Sequence, residues 1–160
     1  MPNSLSLARF LPYRCNSLAR KISVSLSRIY SDHFGLSIPQ WRVLVTLAEY
    51  GELQARQVTE LTTLDKVQVS RAVAGLAERS LLLRRSCDRD SRASLLRLSE
   101  SGLAMFRRIE PEALAWEEAL LAPLQARERD TLFNLLDRLD LQLQAMAPTP
   151  DGTERPESAA

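Results

Sequence analysis

A mainly α-helical fold carrying one small two-stranded β-ribbon is the class this sequence predicts, and three observations predict it. Apolar residues recur at spacings of three and four along most of the chain. Only 5 of the 160 residues are Gly, and long runs are free of Pro. One stretch, about 82–98, departs from the helical period: two short strand-like runs flank a polar tip. With 45% hydrophobic and 26% charged residues the composition is that of an ordinary globular chain. Its length suits one domain with a sizeable core, or one domain plus a dimerising extension.

The elements follow in order. Residues 1–10 lack strong periodicity. From about Pro12 to Phe34 a helix is expected, with Leu11, Cys15, Leu18, Ile22, Leu26, Ile29 and His33 along one stripe and Gly35 as its stop. Pro39 fits the first turn of a second helix through Tyr50, with Trp41, Leu44, Val45 and Ala48 inward and Gly51 closing it. A short helix from Ala55 to Leu61 would bury Val58 and Leu61. Thr62, Thr63 and Leu64 make a turn, and Asp65 with Gln68 reads as a capping box for the next helix. That helix carries Val69, Val73 and Leu76 on one face and ends near Ser80. Strands at about Leu82–Ser86 and Ser94–Leu98 are joined by the tip from Cys87 to Arg92. A long helix after Ser99 places Leu103, Phe106, Ile109 and Leu114 inward, and Pro111 is expected to kink or restart it. The last helix, about Gln125 to Met146, aligns Leu132, Leu135, Leu136, Leu139, Leu143 and Met146. The tail 148–160 holds no large apolar residue and is expected to be disordered.

The formal charge of +1 hides a division along the chain. Residues 65–97 hold eight cations (Lys66, Arg71, Arg79, Arg84, Arg85, Arg89, Arg92, Arg97) against four acids, whereas residues 110–160 hold four Arg against eleven acids. A basic middle suits a nucleic-acid face. Helix, short turn, capped helix and basic-tipped ribbon together make the winged helix-turn-helix plan, in which the second helix enters the major groove. Its first turns offer Lys66, Gln68, Ser70 and Arg71. Gln pairs bidentately with adenine and Arg with guanine, while Lys66 and Ser70 suit phosphate oxygens. Val67 suits a thymine methyl. At the ribbon tip, carboxylates alternate with arginines, so one Arg is braced while another extends toward the narrow minor groove.

Other classes find little support. No apolar run reaches the roughly 18 residues that span a bilayer, and no secretion signal opens the chain, so a cytoplasmic protein without a membrane partner is expected. Cys15 and Cys87 are too few for a disulfide framework. A single His, no metal-ligand spacing, no phosphate loop and no nucleophile elbow argue against an enzyme, a metal site or a cofactor.

The run DKVQVSRAVAGLAERSLLLRRSCDRDSRASLLRLSESGLAMF resembles the recognition helix, wing and following helix of MarR-family regulators, and IPQWRVLVTLAEYGELQARQVTELTTL resembles the two helices before them. The likeness runs from about Pro12 to Met146. It implies a single unit over 1–147, in which 12–34 and 99–147 form a helical dimerisation region and 36–98 the DNA-binding region. It further implies a homodimer on a pseudo-palindromic double-stranded operator, often as a repressor relieved by a small aromatic ligand. The family's Asp-x-Arg wing signature falls on Asp90 and Arg92, making Arg92 the minor-groove residue and Asp90 its brace. Two departures stand out: Ser80 occupies a position where the family often has Gly, and Ser91 replaces a frequent Arg.

Phe10 to Arg14, with IPQWRV and DKVQVSRAVAGL, also resembles the branch that senses hydroxycinnamates and related aromatic acids or their coenzyme A thioesters. In that reading Arg14 supplies the cation for a carboxylate, with Tyr13, Ser17, His33, Trp41 and Arg42 as neighbours. Plainer roles stand beside these: Trp41 as core, His33 at a helix C-terminus, and Tyr13 and Arg14 as dimer packing. Two alternatives to this function remain. One is a redox sensor acting through Cys15, although its place on the apolar stripe is that of an inert buried thiol. The other is a winged-helix protein-interaction module, for which a braced wing Arg has no use.

Overall fold

The computed structural model describes residues 5–87 and 90–147, apart from the side chains of residues 86–93. Among the described residues six helices and three strands follow one another: α1 (Leu11–Asp32), α2 (Ile38–Tyr50), β1 (Leu53–Gln54), α3 (Ala55–Leu61), α4 (Lys66–Glu78), β2 (Leu82–Cys87), β3 (Asp90–Leu98), α5 (Glu100–Leu121) and α6 (Ala126–Met146). The expected fold class is the one observed, with one strand more than expected. Two-residue β1 pairs with β3 (Leu53 with Leu96, Gln54 with Leu95), giving an antiparallel sheet of order β1-β3-β2. Two residues carry no readable period, which is why β1 is silent in the sequence.

The described residues form two compact units, one up to Glu117 and one from Glu118. In the first, α2 is apolar on nearly every side and buries Trp41, Val43, Leu44 and Leu47, so it is the central helix of its core. Around it stand Tyr30 and Leu36, Val58 of α3, Val69, Val73 and Leu76 of α4, Leu82 and Leu96 of the sheet, and Ile109 of α5. Tyr30, Trp41 and Phe106 stack in series, with centroids 5.0 and 6.2 Å apart. In the second unit Glu128 caps α6 by accepting from the Gln125 N–H, and Arg129 donates to Glu118 at 2.8 Å.

Several inward assignments do not hold. Leu61 is exposed, and Leu64 in the turn is buried in its stead. Seven residues make under two helical turns, too few to fix a phase. Leu114 is 57% exposed. On α1 only the C-terminal half meets the core: Ile22, Leu26 and Ile29 are half-buried, whereas Leu11, Cys15, Leu18 and His33 are exposed. Pro111 does not restart α5, which runs unbroken through it. Proline there is exposed, so water can solvate the carbonyl one turn back that loses its donor. The tail from 148 onward lies outside the described residues.

Two ties set the angle of α4. At its C-terminal end Arg79 donates to the carbonyls of Phe34 (2.7 Å) and Gly35 (3.1 Å), pinning α4 to the end of α1. The chain then turns through Ser80, the one described non-glycine residue with positive φ (57°). Ser80 N–H bonds to Ala77 O and Leu81 N–H to Leu76 O, a Schellman closure with buried Leu76 and Leu81 as its apolar pair. The Ser80 carbonyl accepts from the hydroxyls of Ser99 and Ser101, and Ser99 also caps α5 through the Gly102 N–H. Gly102 is required there, because a Cβ would lie 2.0 Å from the Leu81 carbonyl oxygen.

Urea denaturation checks this junction. Ser80→Gly is expected to stabilise the chain by about 0.5–1 kcal/mol, since the left-handed backbone costs a serine more than the added chain entropy of glycine. Gly102→Ala is expected to cost about 1–3 kcal/mol by overpacking against a backbone that cannot yield. Equal midpoints for the two variants would contradict the geometry.

Candidate nucleic-acid interface

The capping box expected at the start of α4 is present. The Asp65 carboxylate accepts from the Gln68 N–H (2.7 Å), and Gln68 Oε1 accepts from the Asp65 N–H (3.0 Å). With Asp65 fixed as cap, the 3.6-residue period divides α4. Val69, Ala72, Val73 and Leu76 are buried, while Lys66, Val67, Ser70 and Arg71 are exposed on the other side. Val67 is 57% exposed, an apolar side chain held out in water.

Gln68, read from sequence as an adenine contact, is engaged in this cap. Its amide folds back onto its own helix end, so a bidentate base contact would require breaking the bond to the Asp65 N–H. The box uses Oε1 and the backbone N–H, leaving Nε2 free to donate; in the free chain Gln68 is a capping residue.

Beside α4 lies the wing. Strand alternation sends Arg84, with Ser94 and Leu96, to the α4 side and Arg85 to the other. A cleft of about 520 Å³ separates α3, α4 and the ribbon, with Arg56, Lys66, Ser70 and Arg84 around a floor of Val69 and Leu96. On the opposite face Arg85 grips Glu52 through two parallel bonds of 2.9 and 2.8 Å, reaching across β3 to the residue before β1. That grip, with the charges of Arg85 and Arg97, holds the Glu52 carboxyl below the ordinary glutamate range. Neither Arg84's place in the cleft nor the Glu52–Arg85 brace is anticipated from sequence. Alternation along 82–85 was the signal for the first; the second spans 33 residues and has none. The backbone of Asp90 and Arg92 lies in β3, but their side chains are outside the described residues, as is the tip at 88–89.

The residues expected around an effector fall into separate places. Tyr13, Arg14 and Ser17 share a groove of about 310 Å³ along α1 with Leu18 and Lys21, the last a cation the sequence reading missed. Trp41 belongs to the aromatic stack of the core. His33 is exposed beyond the end of α1. Arg42 donates to Ser23 and Thr63, away from that groove. Cys15 is an exposed thiol rather than a buried one. Among the described residues no group of three His, Cys, Asp or Glu is placed to hold a metal, and no helix is long and apolar enough to cross a membrane.

The cap yields a prediction. Gln68→Ala and Asp65→Ala are each expected to lower stability by about 1 kcal/mol, while Gln68→Glu, which keeps the box, leaves it near the parent. Thermal melts of the three variants check this; loss of stability in the Glu variant would refute the capping role.

Residues 34–93 match the model of the MarR family. The chain is similar to a MarR/EmrR family transcriptional regulator from Acinetobacter sp. ADP1, at 27% identity and a TM-score of 0.80 over 89% of this chain and 100% of that one. It is similar to a "probable transcriptional regulator" from Pseudomonas aeruginosa at 30% identity and a TM-score of 0.68, over 81% of this chain and 99% of that one. It is also similar to the PcaV transcriptional regulator from Streptomyces coelicolor, solved in complex with its natural ligand, at 28% identity and a TM-score of 0.72, over 86% and 96%. The capped helix with its cationic outer face, the wing beside it and these likenesses agree: residues 34–93 match the MarR family, and the chain has the winged-helix fold of MarR-type transcriptional regulators.

Proposed function

We propose that the chain acts as a homodimer that reads an inverted-repeat operator, with α4 in the major groove and the wing at the flanking minor groove, and represses until a small aromatic acid or its coenzyme A thioester binds. The observation that carries the reading is the outer face of α4: Lys66, Ser70 and Arg71 stand exposed within two turns of a fixed cap. Arg71 has the fork for guanine O6 and N7, and Lys66, Ser70 and wing Arg84 address phosphates. Val67 offers its methyls to thymine. Gln68 contributes by holding the helix start. Arg92, with Asp90 as brace, is assigned the minor groove on the family's wing signature.

Dimerisation is supported by large apolar side chains that are exposed among the described residues. Along α6, Leu132, Leu135, Leu136, Leu139, Leu143 and Met146 are all exposed, and Leu11 and Leu18 of α1 likewise. Two-fold symmetry then calls for half-sites roughly 10 bp apart. Selection of duplexes from a random pool by the full chain is expected to enrich such a repeat, and sedimentation at micromolar concentration to give a dimer. On the enriched duplex, Arg71→Ala is expected to cost about 1–3 kcal/mol and relax preference at one position. Lys66→Ala weakens all sequences alike and lowers the salt slope by about 1. A pool that stays random, or a monomer, would overturn the proposal.

For the effector, the Tyr13–Arg14–Ser17 groove supplies an aromatic wall, a guanidinium and a hydroxyl, and Lys21 adds a second cation. The Streptomyces relative, solved with its natural ligand, supports a ligand-responsive reading. A panel of benzoates, cinnamates and their thioesters is expected to contain at least one compound that raises the melting temperature and releases the duplex, both effects lost in Arg14→Ala. The exposed Cys15 thiol keeps a redox reading open to the same release assay: peroxide-driven release abolished by Cys15→Ser would replace the ligand with an oxidant.

A further inference from the structure

Arg42, near the start of α2, is half-buried, and its guanidinium forks between two distant elements. Nη2 donates to Ser23 Oγ on α1 (3.2 Å), and Nη1 donates to Thr63 Oγ1 in the turn between α3 and α4 (2.5 Å). Thr63 stands two residues before the Asp65 cap, so this bond holds the segment that launches the reading helix. The turn's other hydrogen bonds are local: Thr62 N–H and Thr62 Oγ1 to Val58 O, Leu64 N–H to Thr62 Oγ1, and the Asp65–Gln68 box. Among the described residues, the Arg42–Thr63 bond is the only hydrogen bond tying residues 62–65 to an element distant in sequence.

The chemistry of the tie is unusual for a partly buried cation. A guanidinium withdrawn from water is commonly matched by a carboxylate, with which it makes short bidentate bonds. Arg42 instead meets two neutral hydroxyls, and among the described residues no carboxylate pairs with it. Its charge also reaches the buried Tyr30 phenol, opposing the upward push of burial there. Bonds from a cation to neutral hydroxyls are directional, yet weaker than a salt bridge. They fix the turn while leaving it able to let go.

We infer that Arg42 is a positioning residue for DNA reading: through Ser23 and Thr63 it sets the start of α4 relative to α1, so a shift of α1 at Ser23 alters the placement of Lys66, Ser70 and Arg71. The inference rests on the DNA-reading role proposed for α4. It supplies a route from the helix that carries the Tyr13–Arg14–Ser17 groove to the helix that reads.

Arg42→Lys, which keeps the charge but cannot fork, Thr63→Val, which keeps the shape, and their double variant test it in the full chain. Amide exchange over 62–68 reports the tie without DNA, and affinity for the pool-selected duplex reports its consequence. Both single variants are expected to speed exchange in 62–68 while the α2 core stays protected, and to weaken duplex binding about tenfold. The double variant is expected to be no weaker than Arg42→Lys alone, because both remove one interaction. Unchanged exchange in 62–68, additive losses of affinity, or faster exchange with full duplex affinity would each overturn the inference. If the native chain selects no duplex, the DNA-reading role fails, and the exchange experiment still judges the tie.

Discussion

The peptide between α4 and β2 is where α4, the wing and the start of α5 are tied together. Ser80 turns the chain through a left-handed conformation, and its carbonyl then faces the start of α5, where Ser99 and Ser101 donate to it. One residue further, the Leu81 carbonyl lies so close to Gly102 that no side chain fits between them. A groove-reading helix and its wing address different grooves of one duplex, so their mutual angle has to survive binding. Two serine hydroxyls and a missing Cβ lock the junction beside the buried pair Leu76 and Leu81. The Arg79 bonds to the Phe34 and Gly35 carbonyls then fix the same helix end to α1.

The legible parts of this fold are those written locally. Asp65 and Gln68 lie three residues apart, and the box they announce is formed atom for atom. Gly51 ends α2 where expected and Gly35 follows the end of α1 by three residues, both with positive φ, and Ser80, at a position where the family often has Gly, has a φ of 57°. Illegible parts depend on partners far along the chain or on elements too short to have a phase. Leu61 and Leu64 exchange roles because α3 is seven residues long. Glu52 and Arg85 are 33 residues apart, Arg42 and Thr63 are 21, and no window of sequence holds either pair. Trp41 shows the limit from the other side: a large aromatic in an apolar helix serves equally as core or as pocket wall, and only its stacking on Tyr30 and Phe106 decides for core.

A division of labour follows for the proposed reading head. Asp65 and Gln68 are spent on making the helix start rigid, and that rigidity gives the next residues their precision. Lys66, Ser70 and Arg71 project from a terminus whose position is set at three points: the box, the Arg42 tie behind the turn, and the Schellman closure at the far end. On the wing, Glu52 keeps Arg85 on the face away from α4, leaving Arg84 beside Lys66 in the cleft. One arginine is thereby used for structure, and its neighbour is the one proposed for phosphate.

The central claim is that the outer face of α4 enters the major groove. Methylation interference on the pool-selected duplex tests it most directly, because a methyl group at guanine N7 blocks that groove alone. The account predicts interference at a guanine in each half-site, abolished for the Arg71→Ala variant while the remaining contacts persist. Binding indifferent to N7 methylation, with the only interference at adenine N3 in the minor groove, would contradict it.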